Sequence, residues 1–196
     1  MSARSRKRTK SAGSAFGQGH ALWFPARFLS IWLIMILVLS AWPSLESWAI
    51  GATVESLRLV LLAAGGHPVA EDGMIQAGGV SFRIVSDCTP LMPTILLGSG
   101  ILAFPATWRW KTLGLAAGAL AMWAYNLMRV LALFVVKGRW PGAFDFVHVY
   151  VWQSATLLVV FMLFLAWIGA RARWERSRTR GPVMAADAAV STAAGR

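Results

Sequence analysis

Residues 113–136 read LGLAAGALAMWAYNLMRVLALFVV, an apolar run whose single charge is Arg129. At a helical rise of 1.5 Å per residue it reaches roughly 36 Å, enough to cross the ~30 Å hydrocarbon slab of a bilayer. Outward from it, 91–106 and 147–170 are also apolar, and 28–43 (FLSIWLIMILVLSAWP) is uncharged and flanked by Trp23 and Trp48. The chain is 57% hydrophobic, only 14% charged, and carries a net charge of +11. That combination is foreign to soluble domains and makes a membrane the natural solvent. The expected fold is therefore an all-α membrane bundle of about four transmembrane helices.

The remaining segments are shorter. Residues 48–64 are apolar but interrupted by Glu55 and Arg58, which can pair at i, i+3. They suggest an extra interfacial or groove-lining helix. Val80, Phe82 and Ile84 alternate with Ser81 and Arg83 after Gly78-Gly79. This period-two pattern predicts the second strand of a small β-hairpin-like segment outside the membrane. Three divisions follow: a basic tail over 1–27, a transmembrane region over 28–170, and a basic then Ala-rich tail over 171–196 that is expected to be disordered beyond about Arg180.

The basic residues lie at the two ends and in one connector, so they read as topology rather than as a nucleic-acid interface. With four spans and a cytoplasmic N-terminus, Arg4, Arg6, Lys7, Arg8, Lys10 and Arg27 fall inside, as do Arg109, Lys111 and the arginines between 171 and 180. Arg58, Arg83, Lys137 and Arg139 fall outside, the bias of the positive-inside rule. A fifth span over 48–64 would expel Arg109 and Lys111. Ser47-Trp48-Ala49 resembles a signal-peptidase site, but the long basic region before it favours an uncleaved anchor. The expected location is the inner membrane, with both termini cytoplasmic.

This topology brings Cys88, Asn126, Arg129 and His148 to one depth at the extracytoplasmic face. Cys88 is the only cysteine, which excludes an intrachain disulfide; it is either a small buried hydrophobe or a reactive thiol. Thr89 and Pro90 suit an N-cap and first helical position, so the helix dipole and Arg129 would depress the thiol pKa. An arginine within a span costs about 2.5 to 3.5 kcal/mol on insertion scales. Arg129 is compensated by snorkelling, by Asp87 or Asp145, or by a substrate oxyanion. His148 can transfer protons near neutral pH, whereas His20 and His67 are assigned no role. Asp145 either orients that imidazole or caps the helix. Asn126, one turn before Arg129, holds the guanidinium, a substrate backbone group or a neighbouring helix. Ser86 and Ser154 lack a G-x-S-x-G context, and neither an H-E-x-x-H motif nor a phosphate-binding glycine loop occurs. No cofactor or metal is expected.

The order of VSFRIVSDC, then N-L-M-R late in the next span, then His opening the following one resembles the exosortase/archaeosortase family over about residues 28–170. Family members often show a small residue and Gly after the cysteine, where this chain has Thr89-Pro90. The resemblance implies an all-helical membrane bundle with Cys88 as nucleophile, Arg129 as the essential arginine, His148 as the proton-transfer group and Asn126 in support. It also implies membrane-tethered protein substrates bearing C-terminal sorting signals of the PEP-CTERM kind. The competing expectation is a non-catalytic membrane assembly factor for exopolysaccharide or surface-protein export.

Overall fold

A computed structural model describes the backbone of residues 18–194 and the side chains of residues 23–178. The basic residues Arg4 to Lys10 lie outside the described residues, and the side chain of His20 is likewise not described. The chain is mostly helical, with a three-stranded sheet between its second and third helices.

Helix α1 spans Gln18–Ala41 and α2 spans Pro43–Ala63. Pro43 explains the break: it suits the first helical position of α2 but removes a backbone donor from any continuing helix. Strands β1 (Val69–Glu71), β2 (Met74–Ala77) and β3 (Val80–Arg83) form an antiparallel meander. Both of its turns take positive φ at two successive residues, Asp72-Gly73 and Gly78-Gly79, the geometry that matches the twist of paired strands. Ile75 faces Phe82 across the pair and both are buried, as is Ile84, while Ser81 and Arg83 are exposed. The expected hairpin is thus present. Strand β1, announced by Asp72-Gly73, was not expected.

A 3₁₀ turn at Ser86–Cys88 leads into α3, Leu91–Ala103. This helix is about 20 Å long at 1.5 Å per residue, short of the hydrocarbon slab. It ends where it does because Pro105 forces Phe104 into an extended conformation. The expected apolar segment 91–106 is therefore a shorter helix, packed against α1, α4 and α6. Helix α4 spans Trp108–Arg139. A 3₁₀ turn (Pro141–Ala143), one turn of helix α5 (Phe144–Phe146) and a π-helical turn (Val147–Val151) then run into α6, Trp152–Ala194.

Among the described residues, three helical stretches are long and apolar enough to cross a membrane: Trp23–Ala41, Trp108–Arg139 and Pro141–Arg178. Leucines such as Leu33, Leu120 and Leu157 stand more than half exposed on them, the pattern of helices whose outer faces meet lipid. Helix α6 passes through Arg180 to Ala194, which corrects the expected disordered tail. Alanine is the best intrinsic helix former, which favours helix in the Ala-rich stretch that follows Gly181-Pro182.

Two buried clusters hold the fold. Leu97, Ile101, Met122 and Val160 join α3, α4 and α6. Val54, Leu57, Ile75, Phe82, Ile84, Cys88, Val130, Leu133 and Phe134 join α2, the sheet, the 3₁₀ turn and α4. The salt bridge expected on α2 forms, with Arg58 Nη2 2.6 Å from Glu55 Oε1. Cys88 is part of the second cluster, so the packing that fixes the sheet also fixes the thiol.

Candidate functional site around Cys88

Cys88 closes the 3₁₀ turn, its amide donating to the Val85 carbonyl at 2.8 Å. Thr89 does not cap α3 as expected. Its hydroxyl donates instead to the Ser86 carbonyl at 2.7 Å, and Pro90 occupies the cap position without a side-chain bond. The reason is local: the 3₁₀ turn leaves the Ser86 carbonyl within reach of Thr89, and Thr competes for such backbone partners. A second tie comes from α4, where Asn126 Nδ2 donates to the Cys88 carbonyl at 2.8 Å. Asn126 is buried, so its role is to lock the cysteine-bearing turn onto α4 rather than to hold the guanidinium.

The thiol faces α6. Cys88 Sγ lies 3.8 Å from His148 Nε2, within the range of a sulfur hydrogen bond. His148 sits in the π-helical turn, a local widening that recurs at functional positions and was not anticipated from sequence. The imidazole packs against Phe144, ring centroids 5.6 Å apart; Phe144 in turn meets Phe82 edge-on at 5.7 Å and lies under Lys137 Nζ at 4.9 Å. Asp145 is exposed and forms no hydrogen bond to His148 among the described residues. The ring is positioned by the aromatic contact. Asp145 is not the helix cap either, since it lies inside the short α5.

Arg129 is one helical turn beyond Asn126 and only 4% exposed. It neither snorkels nor pairs: among the described residues no carboxylate lies within ion-pair distance of it. Its Nε is buried without a hydrogen-bond partner, and the side chain lines a cavity of about 290 Å³. Ser86, Asp87 and Thr89 contribute polar lining to that cavity, and Trp32, Met92, Leu96 and Val160 contribute apolar lining. Trp152, whose ring packs on the cluster containing Cys88, carries the other buried and unpartnered donor, Nε1. Sequence reasoning missed Trp152 because eleven tryptophans carry no individual signal. Buried donors without partners are rare in native proteins, and both described here border one cysteine.

Burial raises the Cys88 thiol pKa above its ordinary value. A backbone hydrogen bond with Val85 and the charge of Arg129 pull the other way, and Asp87 pushes it up further. The expected depressed pKa is thus corrected. At 1% exposure, desolvation of the thiolate outweighs the guanidinium and the helix end. Burial therefore favours the neutral thiol over the thiolate.

The arrangement offers a buried thiol, an imidazole in contact with it, and a buried guanidinium that lines an adjoining cavity. That set can support nucleophilic attack on a carbonyl with proton transfer through the imidazole. No family model, curated protein or solved structure matches the chain.

Proposed function

We propose that the chain is a membrane cysteine transpeptidase or peptidase of the exosortase/archaeosortase type, acting on C-terminal sorting signals of exported proteins. The observation that carries the proposal is the 3.8 Å approach of Cys88 Sγ to His148 Nε2 beside a buried, unpaired Arg129. In this reading the chain crosses the inner membrane four times, the short α3 crossing with Cys88 to Pro90 and Thr107 placed in the interface, both termini cytoplasmic and Cys88 at the extracytoplasmic face. Arg109, Lys111, Arg171 and Arg173 lie toward the opposite end, the bias that the positive-inside rule reads as cytoplasmic.

The chemistry begins with the proton of Cys88 passing to Nε2 of a neutral His148 that carries its own proton on Nδ1. The thiolate then adds to a peptide carbonyl, and Arg129 receives the developing oxyanion. Collapse breaks the C–N bond, His148 returns the proton to the leaving amine, and a thioester remains on Cys88. An amine acceptor or water attacks the thioester and gives its proton to His148; the C–S bond then breaks, the product leaves, and His148 returns the proton to Cys88. A raised resting pKa fits this scheme, in which His148 takes the thiol proton as the attack begins.

The test is co-expression with a secreted reporter ending in a short motif, a transmembrane helix and a basic cluster. Loss of the C-terminal tag, together with hydroxylamine-sensitive capture of reporter on Cys88, supports the proposal. Equal processing by Cys88→Ala refutes it.

The burial of Cys88 and the Asn126 tie favour a second reading, a non-catalytic assembly factor for surface export in which these groups only brace the bundle. It requires that Cys88→Ser leave export intact.

A further inference from the structure

The end of the bundle away from Cys88 collects cations in one layer. Arg109 and Lys111 lie in the first turn of α4, and Arg171, Arg173 and Arg178 on the matching part of α6. Phe24, one turn before Arg27 on α1, packs on Phe104 at 6.3 Å and brings that arginine to the same end. The layer is built rather than incidental. Lys111 Nζ donates to the Leu102 carbonyl at 2.6 Å, Arg171 donates to the Pro105 carbonyl and lies 5.6 Å from the Phe104 ring, and Trp110 meets Trp174 edge-on at 5.4 Å. Glu175 is the one acidic side chain described there, and Arg171 holds it at 2.8 Å. Arg109 is exposed, with no side-chain partner among the described residues.

From this layer a cleft of about 360 Å³ runs between α4 and α6 toward the bundle centre. Its walls are Leu113, Ala117 and Ala121 on one side and Leu163, Ala166 and Ala170 on the other, with Trp110 at the charged end. Positions 110 to 121 span about 16 Å along α4. Ala117, Ala121, Ala166 and Ala170 give the cleft small, apolar walls. An acyl chain fits the slot, and the cations complement an anionic headgroup at its open end.

We propose that the α4–α6 cleft is a specific site for an anionic phospholipid, with one acyl chain between the alanines and its phosphate at Arg109 and Arg173. This site is separate from Cys88 and does not depend on the reaction assigned there.

The test uses the full chain in detergent, titrated with phosphatidylglycerol or phosphatidylcholine of the same acyl chains and read by native mass spectrometry. Phosphatidylglycerol should be retained at least about tenfold better. Arg109→Gln with Arg173→Gln should cut that preference about fivefold per cation, the factor equivalent to the ~1 kcal/mol that an interfacial cation contributes. Ala117→Leu should reduce retention of both lipids, with Ala166→Leu as the substitute if the first variant is not monodisperse. Equal retention of the two lipids, or a preference unchanged by the arginine substitutions, would overturn the proposal. So would displacement of the lipid by free glycerol phosphate, which would mark a soluble-phosphate site.

Discussion

Cys88 and His148, separated by 60 positions in the chain, meet at 3.8 Å between sulfur and Nε2 because three elements converge on them. Asn126 fixes the turn that carries the thiol, and Phe144 fixes the ring that carries the nitrogen. Arg129 stands beside them with no carboxylate within ion-pair distance among the described residues. Each relationship leads to a measurable outcome.

Alkylation of Cys88 by a membrane-impermeant maleimide should be slow at neutral pH and accelerate only above the ordinary thiol range, because burial holds the proton on sulfur. Arg129→Gln removes a charge that lowers the pKa, so the profile should move to still higher pH. A profile unchanged in Arg129→Gln would mean that the guanidinium does not act on the thiol. Labelling from the cytoplasmic side alone would invert the proposed orientation.

His148→Gln should keep the fold, since the ring is half-buried at the edge of the cluster, yet lower reporter processing by about 10²–10⁴-fold, the usual range for a lost acid–base group. Retained processing in this variant would remove the imidazole from the mechanism.

Asp145→Asn should change processing by less than about threefold. The carboxylate is exposed and unbonded to the imidazole, and exposed charges contribute little. A loss comparable to that of His148→Gln would restore the orienting role read from its spacing.

Asn126→Ala strips a buried carbonyl of its donor and should destabilise the chain by about 1–3 kcal/mol, read as a lower thermal midpoint in detergent. Asn126→Asp, which can no longer donate, should be at least as harmful. Wild-type stability in Asn126→Ala would show that the turn is held by packing alone.

Gly114→Ala would drive a Cβ into the Trp167 indole, whose Nε1 donates to the Trp110 carbonyl at 3.0 Å. Overpacking of this kind costs about 1–3 kcal/mol, so a clear drop in thermal stability is expected while the Cys88 alkylation profile stays unchanged. A variant as stable as the parent would mean that the indole moves aside freely.

The sequence by itself determined the membrane character, the long apolar helices and the strand from Val80, because hydrophobic period and length are local properties of the chain. It also selected Cys88, Asn126, Arg129 and His148, since polar groups at one depth of an apolar protein are few. Only the tertiary structure decided how they relate. Burial of a thiol is set by what packs on it from α2, the sheet and α4, so the sign of its pKa shift was not visible in Thr89-Pro90 or in a nearby arginine. Phe144 replaced Asp145 as the partner of His148 because the π-helical turn alters which side chains share a face. Pro105, near in sequence but felt through the backbone of Phe104, shortened α3. That no described carboxylate lies within ion-pair distance of Arg129, although Asp87 lines the same cavity, is a matter of side-chain placement in the folded chain and not of spacing along it.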